Sequence, residues 1–212
     1  MSWHYDDGIR IKKLEVQPFG TNCYLVVCRR TSEGVVIDTP GEARRVLSEV
    51  RDVKVKQIII THTHLDHLGA FQELRDRLGT PVAVHPSEAG MLPSPPDVTL
   101  EDGDEVRFGS VTLKVLHTPG HTPGGLCLLT GRHLFSGDTL FPGGPGKTRD
   151  AAAFEQIVKS ITEKLFVLPD DTVVHPGHGG DAVLGEEKEK FAVFSSRPRA
   201  AGLCGDVLWL SS

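Results

Sequence analysis

Thr61-His62-Thr63-His64-Leu65-Asp66-His67 places three imidazoles and a carboxylate in one short stretch, directly after the run Val55 to Ile60. Residues two apart point to the same side of an extended chain, whereas on a helix they lie about 200° apart. His62 and His64 are therefore placed to clamp one cation where a strand over Gln57 to Ile60 ends. Asp66 and His67 come at or just before a helix whose apolar positions Leu68, Phe71, Leu74 and Leu78 recur at three and four. They turn toward a different point, and four ligands aimed at two foci suggest two metal ions.

On the N-terminal side, Ile9 to Val16, Cys23 to Cys28 and Val35 to Ile37 read as meandering antiparallel strands with turn residues between them. Gly41 to Arg51 carries Ala43, Val46, Leu47 and Val50 at helical spacing. On the C-terminal side, Pro81 to His85 is a short strand and Pro93 to Pro96 a rigid surface loop. Val106 to Phe108, Val111 to Leu116, Gly125 to Leu129 and Arg132 to Phe135 form a second group of strands. Ala151 to Leu165 is a helix with Phe154, Ile157, Val158, Ile161 and Leu165 on one face, Thr172 to Val174 a strand, and Gly185 to Phe194 a charged helix. The apolar tail Val207 to Leu210 suits a last strand or a dimer contact.

Three further turns repeat the strand-then-ligand arrangement. Thr118-Pro119-Gly120-His121-Thr122 leaves one strand, Ser136-Gly137-Asp138-Thr139 the next, and His175-Pro176-Gly177-His178 the last. Proline and glycine hold such turns tightly and offer the ligand outward, so side chains from the ends of several strands converge on one cleft. Imidazole and carboxylate donors without a thiolate suit zinc, iron or manganese.

With 212 residues and 39% hydrophobic content the chain can build one good core, and a single domain over 1–212 is expected. Met1 to Lys13 is polar, and no apolar run approaches the ~20 residues that span a bilayer. A net charge of −5 without a basic stripe argues against a nucleic-acid partner. Cys23, Cys28, Cys127 and Cys204 form no CxxC pair, and they read as buried small side chains of a reducing compartment. A cytoplasmic protein that meets no membrane is therefore expected; its oligomeric state is open.

The HxHxDH cluster, the TPGHT turn, the GDT turn and the PGH turn, with Asn22-Cys23-Tyr24-Leu25 and Ile37-Asp38 before them, resemble the metallo-β-lactamase superfamily, and within it the short glyoxalase II-like hydrolases. The resemblance implies an αββα four-layer sandwich (α/β, or α+β, with two mixed sheets flanked by helices). It puts His62, His64 and His121 on one metal and Asp66, His67 and His178 on the other, with Asp138 bridging. Asp66 and Asp138 are then the catalytic carboxylates, and the cofactor is a pair of divalent ions, zinc first. Two such ions ~3.5–4 Å apart share a water and lower its pKa to roughly 7, giving a hydroxide that attacks the carbonyl of a small thioester or related acyl substrate.

In glyoxalase II the lysine of a similar glycine-rich segment contacts glutathione, which makes Lys147 a candidate for a substrate carboxylate. Arg149, a further candidate, stands where that family commonly has an aromatic residue. The 179–212 segment is too short for the helical domain of full-length glyoxalase II. Class B β-lactamases lack an aspartate like Asp138, flavodiiron proteins usually carry glutamate where His64 stands, and the superfamily's ribonucleases have basic surfaces. The rival is a persulfide dioxygenase with one iron on His62, His121 and Asp138, although its glycine-rich loop differs from Leu140 to Lys147. A non-catalytic metal-binding scaffold is the third reading. Gly143 to Thr148 is not a phosphate loop, because its first glycine would fall on Phe141. His4, His85 and His133 read as surface or hydrogen-bonded residues. His117 and His175 either orient a ligand or pack their loops, and Asp38 either reaches into the site or bonds its own turn.

Overall fold

Alternation along Thr21–Cys28 sets the architecture: Tyr24, Val26 and Cys28 enter one buried cluster, and Cys23, Leu25 and Val27 another. Successive strand side chains point to opposite faces, so a strand apolar on both must be covered on both. The computed structural model describes residues 3–6, 8–198 and 200–212; Met1 and Ser2, from the polar N-terminal stretch, lie outside the described residues.

The first sheet runs, in spatial order, β1 (Tyr5–Asp6), β2 (Ile9–Val16), β3 (Thr21–Cys28), β4 (Glu33–Ile37), β5 (Lys54–Ile59), β6 (Val82–Val84) and β7 (Val98–Thr99). It is antiparallel from β1 to β4 and parallel from β4 to β7. Then come β8 (Glu105–Phe108), β9 (Val111–His117), β10 (Leu126–Thr130), β11 (His133–Gly137), the two-strand hairpin β12 (Leu140–Phe141) and β13 (Gly144–Pro145), β14 (Val173–Pro176) and β15 (Ala182–Val183). The second sheet has the order β15-β14-β11-β10-β9-β8, with β11 and β14 parallel. Ile11, Ile37 and Ile59 of the first sheet meet Phe108, Leu113, Leu128 and Phe135 of the second. Helices α1 (Ala43–Glu49) and α2 (Phe71–Leu78) cover the outer face of the first sheet. On the second, α3 (Ala151–Ser160) and α4 (Leu184–Ser195) do so. The result is the αββα sandwich of two mixed sheets.

Several expectations need correction. The helix expected over Ala151 to Leu165 is α-helical only to Ser160 and then widens into a π-helix, Ile161–Leu165. Thr162 Oγ1 donates back to the Val158 and Lys159 carbonyls there (2.9 and 3.2 Å), a bond that competes with the regular ladder. The tail forms no strand, and its Leu208 and Leu210 stand about half exposed (52% and 53%). Trp209 is fully buried against Phe191 and Phe194, and its backbone N–H donates to Gly143 O at 2.8 Å. Cys204 is exposed, unlike the other three cysteines. No described helix is long and apolar enough to cross a membrane.

Asp181, after β14, collects Lys13 Nζ (2.9 Å), His4 Nε2 (2.8 Å) and His175 Nδ1 (3.0 Å). Burial opposes its ionisation, but the hydrogen bond and charge of His175, with Lys13 and His4, hold it well below the usual carboxylate range. A depressed folded-state pKa contributes stability above the unfolded value of about 3.9, and loses it as pH falls through and below that value. Asp181→Asn is expected to cost about 1–2 kcal/mol at pH 7. The deficit should shrink below pH 4, and urea unfolding at both pH values checks it.

Candidate metal centre

All four ligand-bearing turns leave the same rim of the sandwich: 62–67 follows β5, His121 follows β9, Asp138 follows β11 and His178 follows β14. The extended backbone at His64 (φ −63°, ψ 143°) keeps His62 and His64 on one side, while Leu65–His67 turns as a 3-10 helix and swings Asp66 and His67 away. The two foci expected from this spacing are present. His64 Nδ1 lies 3.1 Å from His62 Nε2 and 2.9 Å from His121 Nε2. On the other side, Asp66 Oδ2 lies 3.1 Å from His178 Nε2 and 3.8 Å from His67 Nε2. Asp138 stands between the trios, its oxygens 3.5 Å from His121 Nε2, 3.9 Å from His62 Nε2, 3.4 Å from His67 Nε2 and 3.6 Å from His178 Nε2. All seven expected ligand positions come together.

The atoms behind the donors fix their orientation. A carbonyl can only accept, so His121 Nδ1 donates to Lys147 O (2.7 Å) and His178 Nδ1 to Phe19 O (3.2 Å), which leaves each Nε2 lone pair facing inward. Asp38, at positive φ (60°), accepts from His67 Nδ1 (2.9 Å), Thr61 N (2.8 Å) and Thr61 Oγ1 (2.8 Å). Of the two roles open to Asp38, it therefore takes the one that reaches the site, through His67. Asp66 is held by Thr21 Oγ1 at 3.2 Å. His117 stacks on His85 and bonds Pro123 O (2.9 Å), bracing the His121 turn, while His175 serves Asp181 and His133 and makes no such contact with a ligand.

Electrostatics divide the cluster. Burial, then the neighbouring His67, drives His62 far below the usual imidazole range, and burial with His121 lowers His64. His67 goes the other way. Burial works to lower it, but Asp38 and Asp138 outweigh that and raise it to about 10. Burial opposes the charge on Asp138, yet the histidines around it hold its carboxyl far below the ordinary range.

Two observations test whether this cage fits a cation. His67 Nε2 and Asp138 Oδ1 are both buried without a hydrogen-bond partner, although such atoms are normally satisfied. A Cβ on Gly177 would collide with Asp138 Oδ1 and come within 2.8 Å of His67 Cε1, so the turn tolerates only glycine behind these donors. Nitrogen and carboxylate donors in two trios are those expected of zinc, iron or manganese. The residues fit divalent metal.

Glu88 went unnoticed in the sequence. It sits fully buried in the 3-10 turns Pro86–Met91, and its carboxyl accepts from Thr63 N (3.1 Å), Thr63 Oγ1 and Gly124 N (2.9 Å). It thus ties the His62/His64 loop to the His121 loop. Glu88→Gln would point amide hydrogens at backbone donors, with an expected cost of about 1–3 kcal/mol and a 10–100-fold loss of metal affinity. Chelator competition reads the second figure.

Two clefts open on the cluster, and His121 lines both. The larger, about 510 Å³, runs past Thr63, His64, Met91, Pro119, Pro123 and Ala152. The smaller, about 280 Å³, is walled by Phe141, Lys147, His178, Val207 and Leu208. Lys147 Nζ lies beside Asp206 (3.4 Å) at the smaller cleft, and Arg149 pairs with Asp150 (3.0 Å) at the larger. The two substrate-binding candidates therefore face different clefts.

The chain is similar to several known proteins. Hydroxyacylglutathione hydrolase GloC of Haemophilus influenzae is 29% identical over 212 residues, covering 89% of this chain and all of that protein (100%). Among solved structures, the BLEG-1 B3 metallo-beta-lactamase superposes with a TM-score of 0.78 at 28% identity, covering 84% of this chain and 96% of its own. ETHE1 from Myxococcus xanthus gives 0.76 at 33% (84% and 81%), and TTHA1623 in a di-iron-bound form gives 0.70 at 32% (83% and 96%). The metallo-beta-lactamase superfamily model matches residues 16–178, from the end of β2 to the last histidine of the cage. By fold, by motif order and by that match over most of its length, the chain belongs to the metallo-beta-lactamase superfamily.

Proposed function

We propose that the protein is a binuclear metallohydrolase that cleaves the thioester of a small acyl-thiol, with a glutathione-like thiol as the leaving group. The observation that carries this reading is the placement of Asp138 between two complete donor trios. Divalent metal held there would supply hydroxide at neutral pH and polarisation of a carbonyl. His62, His64 and His121 hold one focus, Asp66, His67 and His178 the other, and Asp138 faces both. Asp38 keeps His67 aimed, and the Lys147 and Phe19 carbonyls do the same for His121 and His178. Lys147 at the smaller cleft is suited to a carboxylate of the thiol. The likeness to GloC supports this substrate class, and the likeness to a di-iron protein supports two ions. No serine or cysteine nucleophile is required, and the reaction runs in the cytoplasm.

A second reading is favoured by the likeness to ETHE1: one iron on His62, His121 and Asp138, acting with oxygen on a persulfide. Metal analysis of purified protein, with hydrolysis of S-D-lactoylglutathione and oxygen uptake on glutathione persulfide, separates the two. Two metals per chain with thioester cleavage is the expected result. One iron with oxygen consumption would replace the hydrolase by the dioxygenase.

A further inference from the structure

The larger cleft is disproportionate to a lactoyl group. Lactoyl places three non-hydrogen atoms beyond its carbonyl, about 90 Å³ at a water-sized 30 Å³ each, whereas the cleft holds about 510 Å³. Its lining is mostly apolar, with Met91 (56% exposed), Pro119, Pro123 and the α3 residues Ala152 and Ala153, and with Arg149 and Gln156 among its polar side chains. The acidic groups along it are already engaged. Glu88 accepts from Thr63 and Gly124, and Asp150 caps α3 through Ala153 N (2.8 Å) and pairs with Arg149. Leu65, between the ligands His64 and Asp66, is 86% exposed and adds apolar surface on the same ligand loop.

The two clefts meet at His121, so a thioester whose carbonyl lies over the centre sends its acyl and thiol arms in different directions. Lys147 marks the smaller cleft for a charged thiol, and the larger is left for the acyl arm. We infer that the larger cleft is an acyl-chain site and that the enzyme prefers thioesters with an apolar acyl group well beyond lactoyl in length. This inference rests on the thioesterase reading.

The test is kcat/KM on the metal-loaded protein for a series of S-acylglutathiones: acetyl, lactoyl, butanoyl, hexanoyl and octanoyl. A fully buried methylene is worth about fourfold; in this half-open cleft a rise of about twofold per methylene is expected, at least tenfold from acetyl to hexanoyl. Ala152→Trp places a large ring in the cleft from an exposed helix position, and the hexanoyl-to-acetyl ratio should then fall at least tenfold. Rates within threefold across the series, or a ratio unmoved by the tryptophan, would overturn the acyl site while leaving the thioesterase intact. No turnover of any thioester would bring down both.

Discussion

Asp138→Ala is expected to lower kcat/KM by more than about 10³-fold, the largest effect of any single change at the site. The residue faces His67, His121, His178 and His62 at 3.4, 3.5, 3.6 and 3.9 Å, so its loss removes the one carboxylate shared by both foci. Asp138→Asn keeps the shape but not the charge and should fall nearly as far, since Asp66 would then be the one anionic donor left among the seven positions to offset two dications. Metal per chain, measured on the same preparations, should drop below two, while circular dichroism stays that of the parent. Undiminished turnover in the alanine variant would end the metallohydrolase reading of this site, whereas a metal-loaded parent that turns over nothing would leave that of a scaffold.

Trp209→Ala is expected to cost about 3–5 kcal/mol in denaturant unfolding, the typical penalty for emptying a buried aromatic site. Its ring packs 5.1 Å from both Phe191 and Phe194, and Leu140 and Phe154 belong to the same cluster. Because Nε1 is buried without a partner, Trp209→Phe forfeits no hydrogen bond and should cost only about 1–2 kcal/mol. The alanine variant should also raise KM more than it lowers kcat. Trp209 N anchors Gly143, and the neighbouring Val207 and Leu208 wall the smaller cleft.

The inner ligands were legible because the chemistry is written locally. HxHxDH, GH, GD and GH each place a donor within a few residues of a strand end, and the period of two at His62/His64 survives into the structure. What supports them was less so. Glu88 reaches partners 25 and 36 residues away from a segment with no periodicity, and nothing in Pro86-Ser87-Glu88-Ala89-Gly90-Met91 marks it. Asp38 was visible as a residue after a buried strand, but its role depends on which way a left-handed backbone turns it. The strands β1, β7, β12, β13 and β15 have two residues each, too few to show alternation. The tail read as apolar, yet whether such a segment pairs, dimerises or folds back depends on α4, whose aromatic residues Phe191 and Phe194 receive it.

The donor loops leave both sheets, and this bears on how the protein melts. The two foci together draw on the ends of β5, β9, β11 and β14, an arrangement with no counterpart in the unfolded chain, so each cation bound there would favour the folded state by RT ln(1 + [M]/Kd), about 2.7 kcal/mol at a free concentration a hundred times Kd. For a chain of this size that is worth roughly 5–10 °C. Free metal concentration is therefore a stability variable in its own right, and a chelator should act on this protein as a denaturant does.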